Sequence, residues 1–143
     1  MIMSKKTGVA YWSKKLIGNG GVLNEYVKWR DAVDNENGKP IAECITCGKR
    51  VSGANLHAGH FASRRFKRVA YDEQNLHAQC AYCNKWLNGN PIIYRKRIKE
   101  LYGKETLARL ERAVTQPPKV WKPYELEELY NKYKGLLAEL KRV

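Results

Sequence analysis

Apolar positions spaced three to four residues apart predict a first helix over residues 22–33. The polar run at residues 34–40 ends it. Residues 41–51 then show the pattern of a short strand, a turn and a second strand, and residues 54–61 continue in an extended form. Residues 62–74 follow neither period, so we expect a loop there.

The last third of the chain returns to helical spacing. Residues 84–87 lack strand alternation and predict a short helix after the last cysteine. Residues 92–102 predict a longer helix that ends at Gly103. Its inward-facing side chains are predicted to be Tyr94, Ile98 and Leu101.

Two more helices are predicted before the C-terminus. One is marked by apolar residues at Leu107, Leu110 and Val114. The other covers residues 123–141, with acidic residues in its first turns and basic residues at its end, where the helix dipole favours each sign. Its apolar stripe consists of Leu126, Leu129, Tyr130, Tyr133, Leu137 and Leu140.

The cysteines form two Cys-x-x-Cys pairs, Cys44 with Cys47 and Cys80 with Cys83. Each pair can present two thiolates from a tight turn, and four thiolates complete the tetrahedral shell of one zinc ion. The gap between the pairs exceeds the roughly 15 to 20 residues of a zinc ribbon, and it holds every histidine of the chain. A site closed by four thiolates is structural, so other residues must carry any reaction.

The composition of the chain indicates what kind of partner it binds and in which compartment it is found. The 143 residues fit one domain, and 27 Lys and Arg residues against 14 Asp and Glu residues give a formal charge of +13. This excess indicates a polyanionic partner, most simply nucleic acid. The sequence has neither an apolar run of transmembrane length nor a signal-peptide core. We therefore expect a soluble, intracellular protein without membrane contact, whose paired cysteines bind zinc rather than form disulfides.

Basic residues are concentrated in three places. Residues 1–20 set lysines around Tyr11 and Trp12, which predicts a flexible basic arm on phosphate or simply a half-ordered terminus. The loop over residues 62–74 follows His60 and has four cations together, and the next long helix has more. The predicted DNA-binding residues are Arg64, Arg65, Lys67, Arg68, Arg95 and Arg97.

His60 is the candidate general base, because an imidazole with a pKa near neutrality can take a proton from water. Hydrolysis of a phosphodiester also needs a cation to offset the developing charge. The candidate ligands for that cation are His57 and Asn84. Asn84 directly follows the second cysteine pair, so a zinc ion bound there would fix its position.

Other polar residues of this stretch have structural interpretations. Asn75 is predicted to be structural, tying the loop before the second cysteine pair through bonds to the backbone. His77 either touches substrate or packs against the zinc turn, and the sequence leaves both open. A histidine beside a zinc turn is often only a packed residue, and this applies to His57 and His60 as well.

The pattern from Cys44 to Asn84 is similar to the HNH or ββα-metal nucleases. The ordered set of motifs also resembles the lambdoid phage NinG family, also called Rap, and the match runs from about Tyr11 to beyond Leu110. Its motifs are Tyr11-Trp12, Cys44-Ile-Thr-Cys47-Gly48, Ala58-Gly59-His60-Phe61, Asn75-Leu-His77, Gln79-Cys80, Cys83-Asn84 and Gly89-Asn90 followed by Tyr94-Arg95.

The resemblance implies an α+β fold with a small zinc-stapled ββα-metal (HNH-like) core and additional helices at both ends. Residues 1–40 would form a basic arm and helix, and residues 41–91 the nuclease core. Residues 92–143 would form C-terminal helices that belong to the same domain or serve dimerisation. His60 then matches the general base, Asn84 the metal ligand and the cysteines the zinc shell.

The resemblance also implies a function. It is that of a structure-specific DNA endonuclease of phage recombination, which hydrolyses branched DNA such as Holliday junctions and D-loops. Structural Zn²⁺ and catalytic Mg²⁺ or Mn²⁺ would be its cofactors. Its location would be the bacterial cytoplasm, with phage or host recombination proteins as further partners.

Two departures from related nucleases concern the catalytic ion. The lambda relative has an aspartate where this chain has His57, and the phage resolvase endonuclease VII has one immediately before its base, where this chain has Gly59. An imidazole supplies no negative charge and is softer than a carboxylate, so metal preference is expected to move from Mg²⁺ toward Mn²⁺ or a later transition ion.

Two alternatives use the same features. A non-catalytic zinc module that binds DNA or RNA would have the same charge and cysteines, with the histidines as packing residues. An interaction protein would instead use the last helix. Symmetric cutting of a junction needs two active sites, which would favour a homodimer formed through Tyr130, Tyr133 and Leu137.

Overall fold

The structure is a computed structural model that describes residues 7–142. It is an α+β fold in which short strands lie between helices at either end of the chain. The helices are α1 (Val9–Ile17), α2 (Val22–Arg30), α3 (Pro91–Tyr102), α4 (Lys104–Arg112) and α5 (Pro123–Lys141). The strands are β1 (Ala32–Glu36), β2 (Lys39–Glu43), β3 (Arg50–Ser52), β4 (Leu56–His60) and β5 (Leu76–Cys80).

The strands form two antiparallel sheets, β1-β2-β3 and β4-β5. A helix predicted over residues 22–33 is wrong at its C-terminal end, because α2 stops at Arg30 and β1 begins two residues later. Asn37 and Gly38 both adopt positive φ, 52° and 74°, in the turn between β1 and β2. An Asn-Gly pair strongly favours such a hairpin turn, so the polar run that was expected only to end the helix forms the β1–β2 hairpin.

The strand, turn and strand predicted for residues 41–51 are confirmed as β2, the first cysteine turn and β3. The Cys44 amide donates to the Lys49 carbonyl at 2.8 Å, and the Gly48 amide donates to the Cys44 carbonyl at 2.8 Å. Gly48 has a φ of 78°, which glycine adopts without steric cost. The turn therefore has a fixed shape before any metal is considered.

The flexible arm predicted for residues 1–20 is wrong for the part that the structure describes, and residues 1–6 lie outside that part. Val9–Ile17 is α1, with Leu16 and Ile17 buried against α2 and α5. Trp12 packs on Tyr130 with ring centroids 5.4 Å apart. Burial of this apolar face outweighs the charge of the lysines on the other face, so the segment is ordered.

The predicted C-terminal helices are confirmed, with two errors of side-chain placement. Tyr94 and Ile98 are fully buried, but Leu101 is 55% exposed and Val114 lies beyond α4 with 41% exposure. In α5, Leu126 and Tyr133 are buried in the cluster shared with α1 and α2. Tyr133 is therefore not available to a second copy, contrary to the proposed dimer contact.

The β4–β5 pair lies between three small apolar clusters. One joins α1, α2 and α5, a second surrounds the cysteines, and a third joins α3 and α4 to the loop after β4. Arg30 and Asp31 attach the end of α2 to β5, since the guanidinium donates to the Leu76 carbonyl at 2.6 Å and the carboxylate accepts from the Ala78 amide at 2.8 Å. Within residues 7–142, every helix is too short or too polar to serve as a membrane span.

Candidate functional site

The four cysteine sulfurs converge at one point. All four Sγ atoms lie within 4.8 Å of one another, and those of Cys47 and Cys80 are 3.7 Å apart. A tetrahedral zinc ion with Zn–S bonds of about 2.3 Å has sulfurs roughly 3.8 Å apart. The cluster is therefore consistent with a structural Zn²⁺ site.

Hydrogen bonds to the sulfurs match this assignment. The Thr46 hydroxyl lies 3.3 Å from Cys44 Sγ, and the Cys83 amide donates to Cys80 Sγ at 3.4 Å. Burial would raise the pKa of the Cys44 thiol, but the Thr46 hydroxyl and nearby backbone amides outweigh it and lower the pKa to about 6. Burial and the neighbouring sulfurs raise the pKa of Cys47 to about 12. A bound cation would allow all four thiols to lose their protons, because its charge offsets the repulsion between neighbouring thiolates.

The sulfur cluster fixes the segment that follows it. Cys80 ends β5, and the chain continues into a π-helical turn, Tyr82–Trp86, that contains Cys83 and Asn84. A zinc ion held by both cysteines would thus set the position of Asn84 relative to the strands. The order is a β-hairpin followed by a short helix.

Next to this turn lies a cleft of about 720 Å³, which we call the histidine cleft. Its lining includes His57, His60, Asn84 and Arg64. Residues three apart in a strand point to opposite faces, and β4 is paired only with β5 in the described part of the chain. The cleft follows the free edge of β4, which is why both histidines line it.

His57 and Asn84 are in direct contact. The Asn84 amide nitrogen lies 2.9 Å from His57 Nδ1, and His57 Nε2 lies 3.1 Å from the Ala54 carbonyl oxygen. The carbonyl requires a hydrogen on Nε2, so Nδ1 carries the lone pair. Turning the Asn84 amide over, which exchanges its nitrogen and oxygen, would place Oδ1 beside that lone pair. Two ligands adjacent on an octahedral Mg²⁺ are roughly 3 Å apart, so the pair fits a divalent ion.

The tautomer of His60 is fixed in the same way. Its Nε2 lies 2.9 Å from the Ala70 carbonyl oxygen, so Nε2–H donates and Nδ1 carries the lone pair. Burial, together with the charges of Arg64 and Lys67, lowers the pKa of His60 to about 4 despite the Ala70 bond. His60 is consequently neutral at physiological pH, with the lone pair of Nδ1 unprotonated, although the lowered pKa also makes the ring a weaker base.

The histidine cleft is positively charged. Lys28, Arg64 and Lys85 line it, whereas none of its described lining residues is a carboxylate. Lys28 also pairs with Glu25 at 2.9 Å. This surface attracts phosphate, and it offers a metal ion neutral ligands only.

Comparison with known proteins identifies the family. The sequence profile described as Bacteriophage Lambda NinG protein matches residues 5–143. The chain belongs to this family. Protein ninG of Escherichia phage 933W is 27% identical over 133 residues, which cover 92% of the chain and 59% of that protein.

Shorter matches to two further relatives agree. Protein ninG of Escherichia phage lambda is 28% identical over 103 residues, or 71% of the chain and 45% of that protein. Protein ninG of Salmonella phage P22 is 29% identical over the same share of both chains. The NinG-family chain thus spans between 45% and 59% of the length of these relatives. No solved structure matches it significantly.

In this NinG-family chain, the basic residues predicted to bind DNA have different surroundings. Arg64 lines the histidine cleft, whereas Arg65 and Lys67 line a neighbouring groove. Arg68 instead donates to the Pro117 carbonyl at 2.6 Å. The helical arginines already have partners: Arg95 pairs with Glu111 at 2.9 Å, and Arg97 pairs with Glu100 at 2.8 Å. The arginines on α3 are therefore less free to meet DNA than those of the loop.

Asn75 and His77 are both structural in their contacts. Asn75 is fully buried, and its amide accepts from the Ala62 amide at 2.8 Å and donates to the Ala62 and Val69 carbonyls. His77 is 4% exposed and lies 3.1 Å from the Tyr94 hydroxyl and 2.6 Å from the Tyr102 hydroxyl. Burial lowers the pKa of His77 to about 4. In this structure His77 packs against these two tyrosines and does not line the histidine cleft.

Gln79 is a residue to which the sequence assigned no role. It is fully buried and lies opposite His57 in the β4–β5 register. Its amide nitrogen donates to the Thr46 hydroxyl at 3.2 Å and to the Gly89 carbonyl at 2.9 Å. Since Thr46 also contacts Cys44 Sγ, Gln79 connects the sulfur cluster to Gly89, which lines the histidine cleft. The sequence does contain a signal for this role, since Gln79 is a polar residue between apolar neighbours on the strand.

Gln79 also explains why position 59 is glycine. A Cβ built on Gly59 would overlap Oε1 of Gln79 and lie 2.8 Å from its Cδ. We expect Gly59→Ala to lower the free energy of unfolding by about 1–3 kcal/mol through this overpacking. In the background of Gln79→Ala the same change is expected to cost much less. Urea unfolding of the four zinc-loaded proteins measures the difference, and equal costs in both backgrounds would contradict it.

Proposed function

We propose that this chain is a divalent-metal-dependent DNA endonuclease of the ββα-metal (HNH) type. The observation that supports it best is that His60 lines the same cleft as the His57–Asn84 pair while its Nε2 lies 2.9 Å from the Ala70 carbonyl oxygen, which leaves Nδ1 to accept a proton. The β-hairpin followed by a helix that carries these residues is the arrangement expected for that type.

In the proposed reaction, His60 accepts a proton at Nδ1 from a water molecule. The water oxygen forms a bond to phosphorus, and the bond from phosphorus to the leaving oxygen of the sugar breaks. The Ala70 carbonyl keeps the imidazole in orientation, and it is well placed to stabilise the charged ring that results. Arg64 holds a neighbouring phosphate at the wall of the cleft.

His57 and Asn84 are the proposed ligands of the catalytic ion. A Mg²⁺ or Mn²⁺ held by these two residues would offset negative charge on the phosphate and the leaving oxygen. Because the described lining of the cleft contains no carboxylate, an anionic ligand would have to come from the phosphate itself. This supports weak metal binding by the free protein and a preference for Mn²⁺, since an imidazole ligand is softer than a carboxylate.

Recognition of DNA is proposed to be electrostatic and shape-based. The formal charge of +13 and the arginines and lysines around the cleft provide phosphate contacts. Branched DNA of phage recombination, such as a Holliday junction or D-loop, is the proposed substrate on the strength of the NinG family. A non-catalytic zinc module that binds nucleic acid is the second candidate, favoured by the same positive, carboxylate-free cleft.

A pair of asparagine variants tests the metal site. We expect Asn84→Ala to slow cleavage of a four-way junction by roughly tenfold or more, because one ligand of the ion is lost. Higher Mn²⁺ should restore part of the rate. Asn19→Ala is the control. It removes an amide side chain that lines the same cleft but does not belong to the His57–Asn84 pair, and it should leave the cleavage rate unchanged.

The assay compares Mg²⁺, Mn²⁺ and no added divalent ion on zinc-loaded protein. Strands that stay intact under all three conditions while the junction shifts in a gel would favour the binding module. Equal losses in both asparagine variants would remove Asn84 from the metal site.

A further inference from the structure

A second concave surface adjoins the histidine cleft. It has a volume of about 1000 Å³ and lies between α1, the loop after β4 and the segment before α5. We call it the α1 groove. It shares Ile17, Gly18, Ser63 and Arg64 with the histidine cleft, so one strand of DNA can run from the cleft into the groove.

The α1 groove has apolar walls that are held rigidly. Trp121 donates from Nε1 to the Lys67 carbonyl at 2.8 Å, and its ring meets Tyr71 edge-on with centroids 5.3 Å apart. The Tyr71 hydroxyl in turn donates to Ser13 at 2.8 Å. Val120 stands at the rim, 86% exposed, and Val9 is 38% exposed on the wall formed by α1. Apolar side chains thus remain uncovered beside a fixed aromatic pair.

The groove is also strongly positive. Five cations line it, and none of its described lining residues is acidic. These cations are Lys14, Arg64, Arg65, Lys67 and Lys119. Within residues 7–142, Lys119 is the one of these cations with an ion pair, to Glu125 at 3.4 Å, and its ammonium also lies 3.9 Å from the Trp121 ring centroid. An occupant of the groove therefore needs negative charge and an apolar surface together.

We propose that the α1 groove binds unpaired nucleotides next to the branch point of a DNA substrate; this deepens the proposed function and rests on it. Duplex DNA presents phosphates outward but hides its base faces, so it would use the cations and leave the apolar walls uncovered. An unpaired strand presents both, and bases stack on aromatic and apolar side chains without regard to sequence.

The test uses paired valine variants in the zinc-loaded protein with His60→Ala, without added Mg²⁺ or Mn²⁺. The binding probes are a forked DNA with unpaired arms and a linear duplex of equal length. Val9→Asn combined with Val120→Asn should reduce affinity for the fork about tenfold and that for the duplex by less than about twofold. Val33→Asn combined with Val114→Asn replaces two valines that are 48% and 41% exposed elsewhere, and it should change neither.

A 2-aminopurine in the unpaired arm provides a second readout, since its emission should drop on binding and recover in the groove variant. Equal weakening of fork and duplex, or no change with either, would overturn the proposal. The outcome is independent of cleavage. If the groove variant loses the fork preference but protein with His60 intact does not cleave DNA, the groove proposal is supported and the nuclease proposal is rejected. If that protein cleaves DNA but the groove variant keeps the fork preference, the nuclease proposal is supported and the groove proposal is rejected.

Discussion

His60→Ala is expected to lower the rate of junction cleavage by about 10²–10⁴-fold while binding of the junction stays within about twofold of wild type. The imidazole is the group proposed to take the proton from water. Among the residues that the structure describes, the ring's one hydrogen-bond partner is the Ala70 carbonyl at Nε2, which leaves Nδ1 without a structural role. Removing the imidazole leaves the phosphate-binding cations in place. Single-turnover cleavage and gel-shift titration measure the two quantities.

A matched substitution distinguishes chemistry from folding. His77 is a buried histidine that packs against the rings of Tyr94 and Tyr102 and does not line the cleft. His77→Ala should therefore cost stability, visible as a lower midpoint of unfolding, and leave cleavage by the remaining folded protein near wild type. If His60→Ala cut DNA at the wild-type rate, His60 would have no part in the reaction.

The pH dependence of cleavage follows from the same residue. A general base works only when unprotonated, and burial lowers the pKa of His60 from its ordinary value of 6.5 to about 4. The value of kcat/KM, which reports the free enzyme, should therefore persist as pH falls through 6.5 and decline only toward pH 4. Zinc content is checked at each pH. A loss of half the rate near pH 6.5 in zinc-loaded protein would contradict this.

Cys80→Ser is expected to abolish zinc binding and to remove most of the stability of the fold. Cys80 is buried at the end of β5, and three of the seven residues in its apolar cluster are cysteines. That cluster is too small to hold two sheets together without the metal. Structural zinc contributes roughly 10–16 kcal/mol of apparent binding free energy in small zinc domains, against a typical total stability of about 5–15 kcal/mol.

Ala81→Ser is the control, because it adds the same hydroxyl one residue later and keeps every sulfur. It should bind one zinc per chain and unfold near the wild-type temperature. Metal analysis and thermal unfolding followed by circular dichroism provide the comparison. A Cys80→Ser protein that melts at the wild-type temperature without zinc would show that the sulfur cluster is dispensable.

The sequence predicts those parts of the fold that depend on local pattern. The period of apolar residues locates α3 and α5, and the paired cysteines locate the turn between β2 and β3. Prediction from local pattern fails where contacts between distant segments determine the secondary structure. The lysine-rich stretch before Gly18 becomes α1 because Leu16 and Ile17 find partners on α5, far along the chain.

For the candidate site, residue types were enough to select His60, His57 and Asn84, but their geometry was not predictable. The contact between His57 and Asn84 and the bond from His60 to Ala70 join residues 27 and 10 positions apart. Gln79 went unassigned because its role depends on three hydrogen-bonding or packing partners from separate segments. The Asn37-Gly38 turn, in contrast, depends on two adjacent residues, so the sequence alone contains the signal for it.

The hydrogen bonds that join Arg30 and Asp31 to β5 restrict how copies of this protein can associate. The outer edge of a strand normally invites another chain to add to the sheet. Here the Leu76 carbonyl and the Ala78 amide are taken by the end of α2, and the Ala78 carbonyl accepts from the Ile45 amide at 2.9 Å. This edge is blocked to strand addition, so two copies of the chain could not associate by extending the β4–β5 sheet at β5.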